Sequence, residues 1–102
     1  IQRYKNIPFI LTSMALSVVL FTASWCKKCK EESFLKVIDT VKKTYSVFEV
    51  DIDDEEQIEH MELEEIPTSV PCVLILKDKL LLETLNGQSG IIDNLEMNLT
   101  TY

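Results

Sequence analysis

The sequence predicts an α/β domain over residues 1–102, with a mixed central β-sheet of about four strands flanked by helices. Three observations predict it. The apolar run "SVVLFTA" (17–23) suits a central strand covered on both faces. A helix-like run then separates it from the alternating segment "YSVFEVDID", and strand–helix–strand order implies a parallel pair. Last, "CVLIL" and "KLLLETL" are joined by Lys77-Asp78-Lys79, which reads as an antiparallel hairpin at the sheet's edge.

Each element has its own signal. In "NIPFILTSMAL", Ile7, Ile10, Leu11 and Met14 recur at helical spacing, with Asn6 as N-cap and Pro8 in the first turn. A short helix is expected there, with a strand through "PFIL" as the alternative. Beyond the first strand, Phe34, Leu35, Val37, Ile38 and Val41 recur at three- and four-residue steps opposite a charged face. They predict one helix over about 27–45. Val47, Phe48, Val50 and Ile52 mark the next strand. "DEEQIEHMEL" predicts a short acidic helix, capped by Asp53 or Asp54, with Ile58, Met61 and Leu63 as its apolar edge. After the hairpin, a loop over Gly87–Gly90 leads to a terminal helix carrying Ile91, Ile92, Leu95 and Leu99.

Charge narrows the range of functions. The net charge is −7, and 9 of the 17 acidic residues fall between Asp51 and Glu65. A phosphate backbone would be repelled, so no nucleic-acid partner is expected. No charged residue lies between Asn6 and Cys26, and about 20 apolar residues can span a bilayer. Pro8, Thr12, Ser13, Ser17, Thr22 and Ser24 interrupt that stretch, and its β-branched second half favours a buried strand over a membrane or signal segment. Three cysteines are too few for a disulfide framework. One functional pair in a reduced, cytoplasmic protein fits better, with an upstream targeting segment left open.

The chemistry concentrates in Trp25-Cys26-Lys27-Lys28-Cys29. A central strand delivers Cys26 to a helix start, where unpaired N–H groups and the helix dipole favour a thiolate. Cys29 follows in the first turn, close enough to bond Cys26 and less exposed. Cys26 is then the attacking nucleophile and Cys29 resolves the mixed disulfide. Lys27 and Lys28 should favour the Cys26 thiolate and make the pair a stronger oxidant, unless both are merely solvated. A zinc site of Cys26, Cys29, Cys72 and His60 can be written down, but it lacks a second paired-ligand motif. No metal is expected. His60, on the acidic helix, reads as a solvated side chain. Cys72 reads as a small core thiol, with a third thiol beside the pair as the sharper alternative.

These residues resemble the thioredoxin family from about Leu16 onward, with a shorter N-terminus. "VVLFTASWCKKCK" is similar to the family's active-site strand, loop and helix. "VFEVDID" resembles its strand-and-aspartate segment, "SVPCVLILKDKLL" its proline turn and hairpin, and "TLNG" the glycine beside its active site. Between Pro67 and Pro71, the strand starting directly after Pro71 marks Pro71 as the family's cis-proline. The resemblance implies that Trp25 lids the site, with plain core as its alternative. It also implies that Trp25, Val70 and Pro71 form the docking groove for an extended substrate.

The implied function is thiol–disulfide exchange on protein disulfides by a monomer. It needs no bound cofactor beyond a redox-active Cys26–Cys29 disulfide, and an external reductase or thiol reductant supplies the electrons. Three departures stand out. Leu20 occupies the place of the family's buried aspartate, which helps move the resolving cysteine's proton, and Glu49 stands where a lysine is usual. The helix-kinking proline is missing near Phe34, which implies a straighter helix. A binding or scaffold module with an idle dithiol is therefore one alternative, and an oxidase or isomerase in an oxidising compartment another.

Overall fold

The computed structural model describes residues 16–61, 67–77 and 80–102. β1 (Leu16–Thr22) buries every residue from Ser17 to Phe21. An apolar run of that kind is stable only between two neighbouring strands with both faces covered, and β1 has that place. The sheet runs β2 (Ser46–Asp51), β1, β3 (Cys72–Lys77), β4 (Leu80–Asn86). β1 pairs parallel with β2, setting Leu20 opposite Glu49 and Thr22 opposite Asp51. It pairs antiparallel with β3, setting Phe21 opposite Cys72. β3 and β4 form the expected antiparallel hairpin, with an irregularity between Ile75 and Leu76. Its turn, Asp78-Lys79, lies outside the described residues, as does the helix or strand expected before β1.

The two-residue period of the strands divides the core. Val18 and Leu20 of β1 face α1 (Glu32–Lys42) and α3 (Gln88–Thr101), packing with Phe34, Ile38, Ile91, Leu95 and Leu99. Val19 and Phe21 face the other way, with Val50, Cys72, Leu74 and Ile58 of α2 (Glu55–Met61). Asp54 caps α2, its Oδ1 accepting from the Gln57 N–H at 3.2 Å.

Two expected boundaries are corrected. The single helix from about Lys27 is two pieces: a 3₁₀ turn at Lys28–Lys30, then Glu31 in extended conformation (φ −66°, ψ 142°), then α1. The reason is rotational. In one continuous helix, Cys29 and Phe34 would point about 140° apart, yet both are buried. The break at Glu31 lets each turn inward. No break falls at Phe34 itself, where α1 runs on regularly. The loop at Gly87–Gly90 shrinks to Gly87 alone, because α3 already begins at Gln88. Gly87 has φ +81°, a conformation in which glycine carries no side-chain penalty.

Candidate active site

β1 ends at Thr22, and the chain turns at once, with the Cys26 N–H donating to the Ala23 carbonyl at 3.0 Å. The 3₁₀ turn then returns Cys29 beneath Cys26. The two are joined as a disulfide with a Cα–Cα separation of 5.4 Å, and the Cys29 N–H donates to Cys26 Sγ at 3.2 Å. That N–H stabilises negative charge on the same sulfur when the bond is opened. Cys26 and Cys29 are 5% and 6% exposed, so the expected contrast between an open and a covered cysteine is absent from the bonded pair. Lys27 and Lys28 are both exposed beside them.

Trp25 is 63% exposed, which excludes the core alternative. Its indole N–H donates to Asp53 Oδ2 at 2.8 Å, and the Asp53 N–H donates in turn to Asp51 Oδ1 at 2.9 Å. The exit turn of β2 thus anchors the residue directly before Cys26. Val70, half-buried, packs against Ala23, Cys26 and Cys29. The Val70–Pro71 bond is cis, in keeping with the choice of Pro71 over Pro67. The Pro71 carbonyl accepts from the Gly87 N–H at 2.9 Å, which ties the end of the hairpin to the site.

Cys72 lies apart from the pair, packed with Val19, Phe21 and Leu74 on the sheet's other face. Burial pushes its pKa up to about 11. It is a core thiol. The written zinc set comes apart accordingly: two of its sulfurs are bonded to each other and the third is on another face. The His60 side chain lies outside the described residues. Among the described residues, no three His, Cys, Asp or Glu side chains gather as a metal site.

Below Cys29 opens a cleft of about 270 Å³, whose lining includes Leu20, Cys29, Lys30, Phe34, Glu49 and Asp51. Leu20 is 2% exposed and puts hydrocarbon directly beneath the dithiol. Glu49 reaches Lys42 of α1 at 2.8 Å, so the acid on β2 has found a cation on a neighbouring element. The Lys30 ammonium donates to the Ser24 carbonyl at 2.5 Å, and Gln88 of α3 donates to Glu31. Sequence reasoning reached Asp51 and Asp53 only as part of a strand-and-aspartate segment and, for Asp53, as a helix cap, and gave neither a place at the site. Nothing in one dimension shows that this end of the strand meets Trp25. Among the described residues, no helix is long and apolar enough to cross a membrane, and the second half of the uncharged stretch is β1 itself.

Known proteins share this fold. The thioredoxin of Malassezia sympodialis is 23% identical, with a TM-score of 0.66 over 91% of this chain and 79% of its own. Reduced Schistosoma mansoni thioredoxin is 22% identical, with a TM-score of 0.68 over 89% of this chain and 81% of its own. Oxidised Plasmodium falciparum thioredoxin is 25% identical, with a TM-score of 0.67 over 92% and 86%. No curated protein sequence matches the chain. The family model described as Thioredoxin matches residues 5–97. With that match spanning both cysteines, the cis-proline and Gly87, the chain belongs to the thioredoxin family.

Proposed function

We propose that this protein exchanges its Cys26–Cys29 dithiol with disulfides of other proteins. The observation that carries the reading is the closed pair at the end of the central strand, with the Cys29 N–H directed at Cys26 Sγ. In the reduced protein the Cys26 thiolate attacks a substrate sulfur, and one substrate thiolate leaves. Cys29, once deprotonated, attacks Cys26 Sγ, and the second substrate thiolate leaves. Two electrons pass to the substrate. An external reductase or small thiol returns them, and no bound cofactor takes part. Lys27 and Lys28 stabilise the Cys26 thiolate by charge, and Trp25, Val70 and Pro71 form the surface on which an extended substrate docks. A monomer in a reducing, cytoplasmic compartment is the setting we propose, on cysteine usage.

Leu20 favours a second reading, in which the dithiol is idle and the groove only binds. Insulin reduction driven by dithiothreitol separates the two. The wild-type protein should accelerate precipitation of the insulin B chain, and Cys26→Ser should reduce the rate to that of dithiothreitol alone. Equal rates for wild type and Cys26→Ser would leave the binding module.

A further inference from the structure

Resting on the exchange reading above, the resolving step needs a proton acceptor for Cys29, and Leu20 offers none. The acids of the cleft lie on the next strand. Glu49 and Asp51 stand two residues apart on β2, level with Leu20 and Thr22 of β1, and both line the cleft that reaches Cys29. Glu49 is engaged with Lys42 at 2.8 Å. Asp51 lies nearer the end of the strand, beside the turn that carries the cysteines. One of its oxygens accepts from the Asp53 N–H, and the other has no partner among the described residues. The remaining charged residue lining the cleft is Lys30, held on the Ser24 carbonyl. A cleft of about 270 Å³ has room for several waters, at roughly 30 Å³ each, so carboxylate and thiol can exchange a proton without touching.

We propose that Asp51, acting through water in this cleft, is the base that deprotonates Cys29 in the resolving step. The Cys29 proton passes by way of water to the Asp51 carboxylate. The Cys29 sulfur then bonds to Cys26 Sγ, and the bond between Cys26 and the substrate sulfur breaks. The substrate leaves as a thiolate and takes up that proton. The dithiol is oxidised by two electrons, and the substrate disulfide is reduced by two. The acid has thus moved sideways by one strand, from the floor of the site to its wall.

The two sulfurs can be timed separately. Reduced protein mixed with the aromatic disulfide dithiobis(nitrobenzoate) releases one coloured thiolate when Cys26 reacts and a second when Cys29 closes the bond. Asp51→Asn keeps an acceptor for the Asp53 N–H and removes only the titrating group. It should leave the first release unchanged and slow the second by about tenfold near neutral pH, a modest effect for general-base catalysis. The deficit should fade as pH rises and Cys29 ionises unaided, while Asp51→Glu should keep most of the rate.

An unchanged second release in Asp51→Asn would overturn the proposal. So would equal slowing of both releases, an Asp51→Glu as slow as Asp51→Asn, or a deficit in Glu49→Gln instead. Wild-type protein that releases neither thiolate would overturn the exchange reading itself.

Discussion

At 1% exposure, Cys72 has almost no water to stabilise a thiolate, and burial pushes its pKa from 9.0 to about 11. The pH dependence follows from that direction. Below about pH 9 the thiol is neutral in folded and unfolded chains alike, and its contribution to stability is constant. Between about pH 9 and 11 only the unfolded chain loses the proton, so stability falls, by roughly 2–3 kcal/mol in all. Urea titrations across that range should show the loss in wild type, and Cys72→Val should lack this component. On the proposed reading Lys27 and Lys28 would act in the opposite sense on Cys26, because a nearby cation favours a thiolate. Both are exposed, so salt screens them. Replacing both with glutamine should lower the reduction potential by roughly 10–30 mV against glutathione buffers, with the difference shrinking at high salt.

Among the elements, α1 shows which signals a sequence carries and which it hides. Its apolar spacing was legible, and Phe34, Ile38 and Val41 are the residues it buries. The interruption at Glu31 was not, since it arises only when Cys29 and Phe34 must face inward from one segment. Truncating the fully buried Phe34 to alanine should cost about 3–5 kcal/mol in denaturant titrations, from lost burial and the cavity left behind. Gly87 was read as the start of a loop, but it is a one-residue hinge into α3. A Cβ there would meet nothing within 4 Å, so Gly87→Ala isolates the backbone cost of φ +81°, about 1–3 kcal/mol. Because the Gly87 N–H also holds the Pro71 carbonyl, the same variant should slow insulin reduction by more than its loss of stability explains.

For the molecule as a whole, the parallel pairing of β1 with β2 and the β3–β4 hairpin could be read from the chain, because local periodicity and the helix between β1 and β2 dictate a parallel pair. The antiparallel seating of β3 on β1 and the meeting of Trp25 with Asp53, 28 residues apart, depend on tertiary packing that no local pattern encodes. The Cys26–Cys29 bond closes a short loop, and by the chain-entropy relation such a closure is worth roughly 2 kcal/mol. Oxidised protein should therefore melt about 10 °C above reduced protein, as calorimetry of the two forms will show. Trp25 adds a practical consequence. It is the chain's one tryptophan, it stands mostly in water, and one hydrogen bond fixes it beside the disulfide. An excited indole gives up an electron readily to a neighbouring disulfide, so its emission should brighten when that bond opens. The molecule carries its own light source at the one place where its redox state changes, and each turnover can be followed without a label.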